Sequence, residues 1–340
     1  MIGIAHYSAS SQITLRLLSE KHEPIDRAFF LKRISEAEEH RKRVVNNSNA
    51  YRVVHGEGDQ LPGLVVDRYG DYLTLQTLDQ GMDRAKPEII SCLEQIFAPR
   101  GIAERNDVAV RKHESLPLHS GVAFGEVPAA IEIRMNGLSL QADVLHGQKT
   151  GVFLDQRENY LAAARYAHGH ALDCFTSNGG FALHCARACE AVEAVDSSEA
   201  ALAVAKTNRD SNGLNNIEFR EADIFDLLAG YASARRQFQT VILDPPAFAK
   251  SRHHLDAALG AYKEINLKAL RLLPAGGILV TCSCSHHVSE PAFFEVVAEA
   301  ALDAGKKLRV LERRTQSQDH PILLTVPETL YLKCLILEVL

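Results

Sequence analysis

Apolar and polar positions change rhythm along this chain, and the changes divide it. Residues 1–21 alternate, most clearly in QITLRLL (Gln12–Leu18), and predict two short strands. Such strands are too short to close a domain unaided. Residues 24–46 place Phe29, Phe30, Ile34 and Ala37 at helical spacing. Residues 51–78 predict strand, turn, strand, strand, with turns at Gly56, Gly58, Pro62, Gly63, Gly70 and Asp71. A helix follows over about 84–97, then strands near 102–111 and 128–145. Asn136-Gly137, between IEIRM and LSLQADVL, is a two-residue hairpin signal. This stretch predicts an α+β region without alternating crossovers.

From about residue 169 a strand is repeatedly followed by a helix. ALDCF (171–175) precedes GGFALHCARA (179–188), and AVEAVD (191–196) precedes SEAALAVAKTNRD (198–210). IEFREAD (217–223) precedes a short helix, TVILDPP (240–246) precedes 255–273, and GGILVTCSCS (276–285) precedes 291–305. The alternation predicts a doubly wound α/β sheet. Ligands bind such sheets at the carboxyl ends of the strands, near the reversal of strand order. The chain carries no internal repeat and no low-complexity tract.

Composition narrows the picture. With 340 residues, 46% hydrophobic and 24% charged, the chain has room for two or three packed domains, and dominant disorder is excluded. No apolar run approaches the ~18–20 residues of a membrane span. The first residues lack a charged and an apolar stretch, so no secretion signal is read. Seven cysteines, an odd number without a C-x-x-C pair, predict reduced thiols and a cytoplasmic protein. A net charge of −6 excludes a broad basic surface, so nucleic acid would need a local groove. The cluster Arg41, Lys42, Arg43 reads either as cations at a helix C-terminus or as an RNA contact.

The candidate chemistry lies just after the predicted strands. The first α/β strand runs into Asp173-Cys174-Phe175-Thr176-Ser177-Asn178-Gly179-Gly180. This is neither G-x-G-x-x-G nor a P-loop. The glycine pair lets a ligand approach the backbone, and Asp173 favours a cation over a pyrophosphate. The next two strands end in Asp196, with Ser197 after it, and in Asp223, placed to accept from ribose hydroxyls and an adenine amino group. Three ordered strand-end carboxylates suit S-adenosylmethionine (SAM), whose sulfonium and amino group are cationic. Taken singly, Asp196 and Asp223 can equally be helix caps.

The fourth strand ends in Asp244-Pro245-Pro246-Ala247-Phe248, a rigid exit that can hold a carboxyl and an aromatic face toward a base. The fifth ends in Thr281-Cys282-Ser283-Cys284-Ser285-His286-His287, and a continuing pleat would put Cys282 and Cys284 on one face. A thiolate that adds to cytosine C6 activates C5 for methylation, with Asp244 bonded at N3. The plain alternative is two buried structural thiols. A metal site from these Cys and His residues matches no common zinc spacing, so none is expected. Cys185 and Cys189, beside His184, read as core packing.

These residues resemble a known family, the bacterial SAM-dependent 23S rRNA (cytosine-C5) methyltransferases of the PUA-containing large-subunit type. The resemblance runs through YRVVHGEGDQLPGLVVDRYGD (51–71), ERNDVAVRKHE (104–114), GQKTGVFLDQREN (147–159), LDCFTSNGGFAL (172–183), LDPPAFAKS (243–251), TCSCSH (281–286), DHP (319–321) and PETLYLK (327–333). It implies that Phe153, Asp155, Gln156 and Arg157 cap the cofactor. Read from the residues alone, that segment is a polar loop before a helix, with Lys149 and Arg157 as phosphate contacts. The resemblance further implies cofactor contacts at Asp173, Phe175, Ser177, Gly179, Gly180, Asp196, Ser197, Asp223 and Asp244. It implies a nucleophile at Cys284 with Asp244 beside it, and substrate contacts at Pro246, Phe248 and Lys250. Ala247 stands where some other RNA cytosine methyltransferases carry a second cysteine, so C5 deprotonation must use another group or water.

The expected architecture is therefore a partial PUA-like segment over 1–21, an α+β domain for RNA recognition over 22–146, and a class I SAM-methyltransferase domain over 147–340. Only the final strands of the PUA module are matched, in 3–20; either the start is internal or the module has been lost. The expected partner is large-subunit rRNA, with Lys149, Arg157, Lys250 and Arg252 near a groove, no membrane and no metal, and the family implies a homodimer. Alternatives are guanine-N methylation on the same fold and a non-catalytic RNA-binding ribosome-assembly factor. A nicotinamide dehydrogenase is disfavoured by the missing G-x-G-x-x-G.

Overall fold

A computed structural model of the chain describes residues 2–147, 150–249 and 254–340. The chain forms two compact units, one of Met1–Leu154 with Ser317–Thr329, the other of Asp155–Gln316 with Leu330–Leu340. The sequence reading placed boundaries at residues 21 and 146. The structure instead joins the amino-terminal hairpin and the α+β stretch in one unit, and adds a segment from near the carboxyl end.

In the first unit β1 (Ile4–Tyr7) and β2 (Leu15–Ser19) form an antiparallel pair. Helix α1 (Arg27–Val44) starts where Asp26 accepts from the backbone N–H groups of Ala28 and Phe29. It buries Phe29, Phe30, Ile34 and Ala37, the stripe its spacing predicts. The five-stranded sheet runs β3 (Ala50–His55), β4 (Leu64–Tyr69), β5 (Tyr72–Thr77), β6 (Gly101–Asn106), β7 (His119–Gly125). Helix α2 (Gln80–Phe97) connects β5 to its parallel neighbour β6. The strand expected over 102–111 ends at Asn106, and β7 was not anticipated from the pattern. β8 (Ile131–Met135) and β9 (Leu138–Ala142) meet across Asn136 and Gly137, both at positive φ (+55° and +79°), as a two-residue hairpin turn demands.

Arg41, Lys42 and Arg43 occupy the last turn of α1, as the helix C-terminus reading expects, but Arg41 is not open to an RNA. It is fully buried, paired with both carboxylate oxygens of Asp59, and donates to the carbonyls of Arg52 and Asp319. Asp319 in turn accepts from the Arg52 backbone N–H at 2.9 Å. The 317–329 segment is thus tied to this unit by buried charge-assisted bonds. Lys42 pairs with Glu39 on the helix surface.

The second unit opens with α3 (Arg157–Tyr166) and holds a seven-stranded sheet. Its strands in chain order are β10 (His170–Cys174), β11 (Ala191–Asp196), β12 (Ile217–Glu221), β13 (Thr240–Leu243), β14 (Ile278–Ser283), β15 (Leu308–Arg314) and β16 (Lys333–Val339). In space the order is β12-β11-β10-β13-β14-β16-β15. Five are parallel, and β16 runs antiparallel to both its neighbours. Helices α4 (Gly180–Cys185), α5 (Glu199–Ser211), α6 (Ile224–Ser233), α7 (Leu255–Leu272) and α8 (Glu290–Asp303) are the crossovers. The expected doubly wound sheet is present. The last two strands, β15 and β16, were not foreseen. The order reverses at β10, between β11 and β13, so the carboxyl end of β10 is the crevice position. One core cluster joins sheet and helices, including Leu172, Val241, Leu243, Tyr262, Leu279 and Phe293.

Candidate active site

The backbone turns sharply out of β10. Phe175 and Ser177 are non-glycine residues at positive φ (+64° and +50°), and Gly179 follows at +92°. Left-handed non-glycine residues are costly and persist only where surroundings hold them. Here Asp196, at the end of β11, accepts from the Ser177 N–H at 2.8 Å and from the Ser198 N–H at 2.9 Å. Ser198 caps α5, and Ser197 between them is exposed. The carboxylate expected at the ribose therefore also clamps the loop. Asp223 is exposed at the end of β12 and caps α6 by accepting from the Asp226 N–H.

Asp173 is completely buried. Its Oδ2 accepts from Thr176 Oγ1 at 2.6 Å and from the Ala182 N–H at 2.9 Å, while Oδ1 has no hydrogen-bond partner among the described residues. Burial raises its pKa to about 7, opposed by those two bonds and reinforced by Asp244 and Asp196. The repulsion shows that three of the predicted carboxylates share one electrostatic neighbourhood.

Asp244, just past β13, accepts from Gln156 Nε2 at 2.9 Å. Gln156 accepts in turn from Asn159 Nδ2 at 2.7 Å, and Arg314 Nε donates to Asn159 Oδ1 at 2.9 Å. Asp155 accepts from the Tyr331 hydroxyl at 2.8 Å. Arg157 is buried, so the phosphate contact considered for it is not available at the surface. Phe153 belongs to the first unit and is half-buried.

Tyr160, which the sequence reading missed, stands amid these groups. It is buried, packs edge-on against Phe181 at 4.7 Å and stacks on His184 at 5.0 Å. Burial first, then Asp244, Asp155, Asp173 and Cys282, push its hydroxyl well above its ordinary pKa. Gly180 is glycine because a Cβ there would lie 2.5 Å from the Tyr160 hydroxyl oxygen. The available signal was helical spacing, since Tyr160 follows Gln156 by four positions. His184 itself is held neutral, its pKa lowered by burial to about 4, and its Nδ1–H donates to the Gly180 carbonyl at 2.7 Å, in keeping with core packing.

The two strand-five cysteines part company. β14 ends at Ser283, so the pleat does not carry the shared-face expectation to Cys284. Cys282 is fully buried opposite Cys334, and burial and then Cys334 and Asp244 push its thiol far up. Cys284 lies beyond the strand, with its Sγ 3.9 Å from the Pro245 carbonyl oxygen. It is the one cysteine of the seven that is not buried. Phe248 is half-buried and packs against Tyr262 at 4.8 Å and Phe225 at 6.1 Å, while Pro246 is exposed. Lys250, with Lys149 and Arg252, lies outside the described residues. No group of three or more His, Cys, Asp or Glu side chains among the described residues converges as a metal site. No helix among them is long and apolar enough to cross a membrane.

Residues 167–323 match the family described as "Methyltransferase domain". Ribosomal RNA large subunit methyltransferase I of Klebsiella pneumoniae is 41% identical over 335 residues, spanning 96% of this chain and 84% of the relative. The chain belongs to the ribosomal RNA large subunit methyltransferase I family. The Escherichia coli member is 39% identical over 335 residues, 96% of this chain and 85% of its own length. A solved structure assigned as a methyltransferase and complexed with SAH superposes with a TM-score of 0.86 at 21% identity, covering 99% of this chain and 88% of the other, a likeness of fold. The expected enzyme class, a SAM-dependent methyltransferase on a doubly wound α/β sheet, therefore stands for this family member.

Proposed function

We propose that the protein methylates C5 of a cytosine in large-subunit ribosomal RNA, with SAM as methyl donor and Cys284 as nucleophile. The rRNA substrate is the one in the names of the relatives. The observation that carries the cytosine reading is Cys284 itself, partly exposed at the crevice end of β14 and against the turn that carries Asp244. None of the seven cysteines is in a disulfide, the state that a reducing compartment maintains.

The residues present fit the donor. Asp173 offers a buried, unpartnered oxygen, and Asp196 and Asp244 add negative charge nearby, which favours a cationic ligand and disfavours a phosphate. Asp173, Phe175, Ser177, Gly179, Gly180, Asp196, Ser197 and Asp223 would hold it, with Asp155, Gln156 and Arg157 from the preceding segment. SAM, when bound, supplies an electrophilic methyl group.

The chain's own residues prepare the acceptor. The Cys284 thiolate adds to C6 of the cytosine and raises electron density at C5, while the Asp244 carboxyl bonds at N3. Pro246 and Phe248 would line the base. After methylation C5 loses its proton to water, the electron pair restores the ring double bond, and the thiolate leaves C6. Replacing Cys284 by Ala should abolish methyl transfer to rRNA while leaving SAM affinity, read by calorimetry, within about twofold. Full transfer by that variant would refute the covalent route and favour methylation of a guanine nitrogen. Mass mapping of rRNA from a deletion strain identifies the base.

A further inference from the structure

Lys333 sits on β16, paired in register with Ser283 of β14, and its side chain is only 4% exposed. Its Nζ donates to the carbonyl oxygens of Ser285 at 2.7 Å and Tyr331 at 2.9 Å. Ser285 follows Cys284 in the chain, so the ammonium is anchored on the peptide next to the thiol. A buried ammonium held by neutral carbonyls keeps its full charge for a nearby anion. A cation beside a cysteine favours the thiolate, the form that acts as nucleophile.

We infer that Lys333 is a positioning residue that holds the Cys284 side chain as a thiolate near neutral pH. This rests on Cys284 being the nucleophile. The Sγ–H proton passes to water at the exposed side of Cys284, Lys333 keeps its own, and an ammonium–thiolate pair results. Burial lowers the Lys333 pKa to about 8, with Cys284 and Glu290 opposing, so the ammonium form prevails at pH 7. Among the described residues, the groups facing the pair are Glu290 at the start of α8, itself paired with Arg313 of β15 at 3.2 Å, His286 in the loop after β14 with His287 beside it, and Tyr262 on α7. Burial first, then Lys333 and His287, depress His286, which leaves it neutral at pH 7. Glu290 works against the thiolate, so the cation must outweigh it.

Alkylation of Cys284 by iodoacetamide, followed by peptide mass spectrometry across pH on the full chain, tests this without any substrate. The wild type should show a midpoint below the ordinary cysteine value of about 8.5. Lys333→Met should raise it by about one unit, cutting the alkylation rate at pH 7 about tenfold, and Lys333→Arg should keep the wild-type midpoint. A wild-type midpoint at or above about 8.5 overturns the inference even if Lys333→Met does not fold, as does an unchanged midpoint in folded Lys333→Met. Neither result touches the nucleophile assignment, which stands or falls on methyl transfer by Cys284→Ala.

Discussion

Gln156 donates to the Asp244 carboxylate at 2.9 Å across 88 positions of sequence. The amide comes from the entry to α3 and the carboxylate from the exit of β13, so one hydrogen bond fixes the segment before the sheet against its central strand. The Gln156 amide oxygen accepts from Asn159, and its NH2 group also donates toward the buried Cys282 sulfur, so one side chain links the two strand exits.

Removing that link should slow the chemistry. Gln156→Ala is expected to lower the methyl-transfer rate roughly tenfold to hundredfold, the scale of a small misplacement of a reacting group. Single-turnover kinetics at saturating SAM measure it. A rate within about twofold of wild type would mean that Asp244 is positioned without the amide.

Gly180 and Tyr160 make a second testable pair. Gly180→Ala places a methyl group where the Tyr160 hydroxyl lies, 2.5 Å away, and the tyrosine is enclosed by Phe181 and His184. Overpacking of this kind costs about 1–3 kcal/mol. Thermal unfolding should show the loss, and Tyr160→Leu in the same chain should recover part of it, because the ring carbons Cζ and Cε1 clash as well as the oxygen and phenylalanine would keep them.

The pH dependence of Asp173 has a definite sign. Its pKa is raised by burial from 3.8 to about 7, so the folded state keeps a proton that the unfolded state has released. Its contribution to stability is complete below about pH 4, declines as pH rises, and is gone above about pH 7. A cationic ligand favours the ionised form. SAM affinity should therefore rise up to roughly tenfold from pH 6 to 8, with proton release on binding. Calorimetry in buffers of different ionisation enthalpy reads this, and Asp173→Asn should abolish both the release and the pH slope.

Asp319 should matter to stability although it lies far along the chain from the unit it joins. It is fully buried and accepts from the Arg52 N–H, and its carbonyl accepts from Arg41. Asp319→Ala leaves a buried donor unpaired, a loss of about 1–3 kcal/mol. Urea unfolding should show it, and hydrogen exchange should show the loss within 1–154. Unchanged protection there would separate the segment from that unit energetically.

What the sequence determined by itself was local or ordered along the chain. Alternation and helical spacing specified the strand–helix rhythm after residue 169, and Asn136-Gly137 specified its hairpin, because these depend on neighbouring residues and on backbone conformation alone. Asp173, Asp196 and Asp244 were legible because a doubly wound sheet brings all its strand exits to one end. Only the tertiary structure decided that Arg41 is an enclosed ion-pair partner, that Cys284 is partly exposed where Cys282 is buried, that Tyr160 lies near Asp173 and Asp244, and that Lys333 bonds the peptide next to Cys284. β15 and β16 escaped the pattern as well, and residues 317–329 between them belong to the first unit. Each of these depends on which distant segment packs opposite a residue. Burial and electrostatic neighbourhood are set by that pairing, and no periodicity within a single segment encodes it.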